Sequence, residues 1–237
     1  MSQKNNLKKY IGLAGILFLF PLVWLLFFGV FGKHNFKTLP HYGPEALKGA
    51  DSSIYMIPDF AFSDENGQIF TRDSLIGKVW LATFYNLNSP NLYGITERLL
   101  SVNFKYAGEP DIVIVNFSTD CSADTQPARL EYVQQNTRYN EFPGKWKMLS
   151  GNQDAMQSYI RNGFLISDIS NEAIFRLIDA DGHIRGLYGN TEYHFLGGGG
   201  DSIPGVVQDI ALLKKEIDLR NYHERKAREK TKDRNEN

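Results

Sequence analysis

The sequence predicts an α/β sandwich with an N-terminal β-hairpin and a second, inserted or terminal β-hairpin, preceded by one transmembrane helix. Three observations predict it. Tyr10 to Gly32 carries no charged side chain. Two apolar runs, 79–84 and 112–117, read as buried strands, and the segment between them has apolar residues at helical spacing. Downstream, Asp179-Ala180-Asp181-Gly182 marks the turn of a hairpin between two further apolar runs.

The charge-free run of Tyr10 to Gly32 would extend about 34 Å as a helix, enough for a hydrocarbon core of about 30 Å. It exceeds the apolar region of a cleaved signal peptide, and its end, Phe27-Phe28-Gly29-Val30-Phe31-Gly32, has no small-residue cleavage pattern. An uncleaved anchor is therefore expected. The short arm before it favours a cytoplasmic N-terminus with the main domain outside the cytoplasm, on the periplasmic side in a bacterium. The 237 residues then divide into a cytoplasmic arm (1–9), the anchor (10–32), a Pro- and Gly-broken linker (33–56), one domain (57–219) and a charged tail (220–237). A formal net charge of −1 argues against a dedicated nucleic-acid binder.

Within the domain, Phe60-Ala61-Phe62 and Gln68-Ile69-Phe70-Thr71 flank the turn Asp64–Gly67 and predict a hairpin. Val79–Phe84 is a buried strand. After it, Ser89 can cap a helix with Pro90 at its first position, and Ile95, Leu99, Val102 and Tyr106 share one face. Ile112–Phe117 is β-branched and reads as the second strand. A polar loop, 118–125, leads to a helix over 128–133. Trp146–Leu149 is a short strand, and 153–162 a third helix. The second hairpin pairs 173–178 with 183–188. Gly197 to Gly200 form a flexible loop before a last helix from Gly205, with Val206, Ile210, Leu213 and Ile217 facing inward. From Asn221 the chain is a solvated helix end or a disordered tail, with six Lys/Arg and four Asp/Glu. Parallel strands joined by a helix, then an antiparallel hairpin and a closing helix, make a thioredoxin-like sandwich.

The residues resemble the SCO/SenC family, copper chaperones for cytochrome c oxidase assembly, over about 57–217. The likeness rests on Ile57-Pro58-Asp59-Phe60 with the Asn66-Gly67 turn, and on Gly77-Lys78-Val79-Trp80-Leu81-Ala82-Thr83-Phe84. It rests also on Phe117-Ser118-Thr119-Asp120-Cys121-Ser122-Ala123-Asp124-Thr125, similar to the family's S-x-D-P-x-x-D-T loop with Cys121 in place of proline. Trp146-Lys147-Met148-Leu149-Ser150-Gly151 and Leu177-Ile178-Asp179-Ala180-Asp181-Gly182 complete it. The resemblance implies C-P-x-x-C at the first helix and a distant His, a set whose soft thiolates suit Cu(I). This chain has Leu87-Asn88-Ser89-Pro90-Asn91-Leu92 at the first position and Ser170-Asn171-Glu172 near the second. All three ligands are absent.

Cys121 is the only cysteine, so no intramolecular disulfide can form. It sits past the end of a strand, at the sheet edge where ligands gather in α/β folds. No basic or metal-binding neighbour adjoins it in sequence, so a loop residue is the expectation. His34, His41, His183, His194 and His223 show no ligand spacing. His194 adjoins the Gly-rich loop and is read as a surface histidine. The helix start at Ser89–Asn91 offers backbone N–H groups to an anion and is read as an ordinary cap. No catalytic, cofactor-binding or metal-binding residue is therefore assigned, and no cofactor. The resemblance implies a degenerate, non-catalytic, membrane-anchored member that binds a respiratory-complex or assembly protein. Two other readings are a residual thiol- or copper-dependent protein using Cys121, and a purely structural module at the membrane surface.

Overall fold

A computed structural model describes residues 17, 19–21, 23–24, 38–44, 55–169, 174–189 and 204–235. The chain forms two compact units, Met1–Lys37 and Thr38–Asn237. In the first, Leu17, Leu19, Phe20, Pro21, Val23 and Trp24 are helical and exposed. The remaining positions of the expected 10–32 anchor lie outside the described residues. Among the described residues, no helix is long and apolar enough to cross a membrane.

The second unit opens on an antiparallel hairpin of β1 (Ala61–Ser63) and β2 (Ile69–Thr71). Its turn is fixed locally. The Asp64 Oδ1 atom accepts the N–H groups of Asn66 and Gln68, both at 2.9 Å, and Gly67 takes φ +76°, which a side chain would resist. Then follow β3 (Val79–Tyr85), α1 (Leu92–Lys105), β4 (Ile112–Ser118), α2 (Gln126–Asn136), β5 (Trp146–Leu149) and α3 (Gln153–Gly163). The chain ends on β6 (Phe175–Ile178), β7 (Ile184–Tyr188) and α4 (Pro204–Asn235). The five-stranded sheet runs β5-β4-β3-β6-β7. Its β3, β4 and β5 strands are parallel, and β6 and β7 are antiparallel.

Side-chain alternation along the strands divides the core in two. Val79, Leu81 and Tyr85 of β3 and Ile112 and Ile114 of β4 face α1 and α4, meeting Leu99, Val102, Val206, Ile210 and Leu213. Trp80, Ala82 and Phe84 of β3 and Val113, Val115 and Phe117 of β4 point the other way. They pack against the first hairpin and α3 through Phe60, Phe62, Met156, Ile160 and Phe164. Burial on both faces explains why these strands read as continuous apolar runs.

Several local expectations shift. The first helix begins at Leu92, not at Pro90. Ser89 Oγ accepts the Asn91 N–H at 3.2 Å, so the serine closes a preceding turn, and Asn91 caps the helix without a side-chain bond. The second helix is longer than expected because Thr125 caps it, accepting the Ala128 N–H at 3.4 Å, with proline in its first turn. In the second hairpin, Asp179 Oδ1 accepts the N–H groups of Asp181 and His183, and Gly182 has φ +94°. The charged end of the chain is helical, α4 continuing to Asn235. Leu39, in the segment read as linker, is buried in the core, and Tyr42 bridges to Ile184. Arg185 explains this placement. Its guanidinium donates to Leu39 O at 2.7 Å and Pro40 O at 3.3 Å, and pairs with Asp179 and Glu216.

Candidate functional site

The edge at the C-terminal ends of β3 and β4 is where an open α/β sheet presents ligands. Here it is closed by hydrogen bonds. The Thr119 N–H donates to Tyr85 O at 2.8 Å, and its Oγ1 at 3.1 Å, tying the loop after β4 to the end of β3. The turn into α1 is held by Asn86, whose Oδ1 accepts the Asn88 N–H and whose carbonyl accepts that of Ser89, both at 2.9 Å. Between Leu87 and Leu92 the turn offers no thiol and no imidazole.

Cys121 lies in the loop after β4, half-buried against the aromatic half of the core. Its backbone N–H donates to the side-chain oxygen of Gln153 in α3. Gln153 Nε2 donates in turn to Thr119 O at 3.0 Å. Cys121 Sγ is 4.0 Å from Ser118 O. These contacts are those of a loop anchor. Among the described residues, no three His, Cys, Asp or Glu side chains gather where they could hold a metal ion. A chain with one cysteine cannot supply two thiolates, so the residues present do not fit the two-thiolate copper site that the resemblance implies. His194 and the segment Ser170–Glu172 lie outside the described residues.

The same edge holds a buried charged network, which the sequence reading missed. Tyr85 OH donates to Asp124 Oδ2 at 2.5 Å. Burial, then the Asp124 charge, drives the phenol far above its ordinary range, so it remains a donor. Arg129 pairs with Asp124 at 3.2 Å and donates to Asp64 O at 3.0 Å. Lys147 of β5 bridges Asp64 at 2.8 Å and Glu65 at 3.1 Å. Glu65 is fully buried, and accepts further bonds from Tyr139 OH at 2.9 Å, Asn66 Nδ2 at 3.0 Å and the Met148 N–H at 3.1 Å. The network straps the first hairpin across β5 and the start of α2. The available sequence signal was Lys147 standing inside the apolar run of β5.

Burial raises the Asp64 carboxyl, but the Lys147 ammonium and the N–H groups of Gln68 and Asn66 outweigh it and hold the group below its usual value. Burial lowers Lys147, and Asp64 and Glu65 more than offset it, holding the ammonium above its usual value. A carboxyl depressed in the folded state contributes stability above its unfolded value of about 3.9, and that contribution fades as pH falls through the folded value. The expected result is a stability loss on acidification below about pH 5 that Lys147→Gln makes shallower. Urea unfolding at a series of acidic pH values checks it.

The fold and this edge define a thioredoxin-like α/β domain whose turn between β3 and α1 is polar and carries no cysteine. No family model matches the sequence, and no curated protein matches it. Solved structures do. A SCO1/SenC family lipoprotein from Bacillus anthracis str. Ames is 21% identical, with a TM-score of 0.55 over 68% of this chain and 95% of its own. BsSco, a member of the Sco family of cytochrome c oxidase assembly proteins studied for a disulfide switch, is 20% identical, with a TM-score of 0.53 over 67% of this chain and 93% of its own. Yeast Sco1 is 18% identical, with a TM-score of 0.51 over 68% of this chain and 95% of its own. These three structural neighbours are SCO/SenC proteins, and at these identities what is shared is the fold.

Proposed function

We propose that this chain is a degenerate SCO/SenC protein, anchored in the membrane through residues 10–32 with its domain outside the cytoplasm. Its role is to bind a partner during cytochrome c oxidase assembly, without catalysis. The single observation that carries this reading is a retained fold around a rewritten turn. Where the family pattern places two cysteines, Leu87–Leu92 holds none, and the chain has one cysteine in all. Disulfide exchange within the chain needs two thiols, so a thiol–disulfide cycle of its own is closed to it. Selection that keeps the scaffold and drops the ligands points to binding.

The oxidase link is tested by deletion. Cells lacking the protein are expected to assemble less oxidase, and a Cys121→Ser protein is expected to restore assembly fully. Unchanged oxidase activity after deletion contradicts the link. A Cys121→Ser protein that fails to restore assembly moves the reading to residual thiol or copper chemistry at Cys121.

A further inference from the structure

The last helix, α4, runs on past the core that holds it. Val206, Ile210 and Leu213 of its first half are buried in that core. From Asn221 to Glu229 every residue is exposed, and so are Thr231 and Lys232. Over Asn221–Asn235 six Lys/Arg stand against three Asp/Glu, in a chain whose net charge is −1. We propose that this end of α4 docks on the anionic phospholipid headgroups of the membrane that holds residues 10–32. The proposal rests on the anchor in the function proposed above and adds a second contact with the same membrane.

Three observations support it. The first is helicity without packing. About 15 polar residues are marginal as a helix of their own in water. A helix that is polar all round needs a neighbour, or many side-chain pairs along its length. The Arg228–Glu224 pair is stretched to 3.9 Å with the Arg228 side chain 85% exposed, and such a pair adds little. The second is charge placement. Arg225, Arg228 and Lys232 recur at i, i+3 and i+7, so they share one helix face. Each Lys or Arg close to an anionic membrane surface adds to the attraction. Tyr222, one turn before Arg225, is 45% exposed, and tyrosine suits the headgroup level. The third is reach. The Leu39 N–H donates to Glu216 Oε1 at 3.2 Å, and Arg185 bonds both Leu39 O at 2.7 Å and Glu216 Oε2 at 2.9 Å. This clasp ties the chain leaving the apolar run to α4, just before the exposed end begins. The stretch from Gly32 to Leu39 covers about 25 Å at full extension. The exposed end of α4 is itself about 22 Å long. With the anchor in place, the headgroups are within its reach. An acidic protein would match the charge equally well, but no tether holds one there.

Hydrogen exchange read by mass spectrometry on the full-length protein in lipid nanodiscs tests the contact. In phosphatidylcholine with about 30% phosphatidylglycerol, amides over 221–235 are expected to exchange about tenfold more slowly than in phosphatidylcholine alone. That protection is expected to vanish in about 0.5 M salt, which screens exposed charges. It is expected to vanish also in Arg225→Gln/Arg228→Gln/Lys232→Gln, while peptides of β4 exchange alike in every sample and report an intact domain. Equal exchange in the two lipids overturns the proposal, as does protection that survives salt or the triple substitution. Co-elution with the discs reads the anchor separately. Retention in both lipids without protection in either removes the headgroup contact and keeps the anchor. Retention and protection in the anionic discs alone keep the contact and remove the anchor, and elution free of both kinds of disc removes both.

Discussion

Arg129→Met is expected to destabilise the domain by about 3–5 kcal/mol, because it strands a buried carboxylate. The Asp124 side chain is fully buried and the Arg129 side chain is 4% exposed. Their 3.2 Å contact is the ion pair holding Asp124, and the same guanidinium donates to the backbone oxygens of Asp64 and Asp124. Methionine fills similar volume and offers none of these donors. The Tyr85 hydroxyl would still bond Asp124, but a neutral donor does not neutralise a charge at zero exposure. Urea unfolding of Arg129→Met and of Arg129→Met/Asp124→Asn separates the causes. The double variant should recover much of the loss, because it buries no lone charge. A single variant within about 0.5 kcal/mol of the parent, the range of an ordinary surface change, would show that the network contributes no more than an exposed polar contact does.

Phe117→Ala is expected to cost about 3–5 kcal/mol, by lost transfer energy and by the cavity left in a core that cannot collapse onto it. Phe117 is fully buried at the end of β4. Its ring centre lies 4.9 Å from Phe164, 5.5 Å from Phe60 and 5.9 Å from Tyr159. Phe62, Trp80 and Phe84 surround it at 6.2–6.4 Å. These partners come from β1 and the residue before it, β3, α3 and the residue after it, so one truncation loosens the packing of all three elements. Phe117→Leu should cost much less, because it retains most of the volume. The loop bearing Cys121 begins two residues on, at Thr119. Thermal unfolding of both variants checks the ranking, and an equal cost would place the effect elsewhere than in the cavity.

The strands were legible because they are buried on both faces. Val79–Tyr85 and Ile112–Ser118 have nowhere to place a charge, so composition alone marks them. The second hairpin was legible through its Asp and Gly turn chemistry. The delayed start of α1 was not, because Ser89 and Asn91 are both good caps and only the Asn86 turn decides between them. Buried charges were harder still. No sequence signal marks Lys145 or Arg176, whose buried side chains each reach carbonyls just past the end of a helix. Lys145 donates to the carbonyls of Tyr106 and Glu109 after α1, and Arg176 to that of Phe164 after α3 at 3.0 Å. Helix ends leave carbonyls unpaired and favour cations, and no sequence spacing reports that meeting. At the candidate site, the absence of cysteine between Leu87 and Leu92 is visible in the sequence itself. The sequence did not show the hydrogen bonds that close the edge around the turn.

The most direct measurement is affinity capture of the tagged full-length protein from detergent-solubilised membranes, with the parent and Cys121→Ser side by side. The account predicts that cytochrome c oxidase subunits or their assembly factors co-purify, in equal amounts with both. Capture that fails for both proteins, or that depends on Cys121, would contradict a thiol-independent binding role in oxidase assembly.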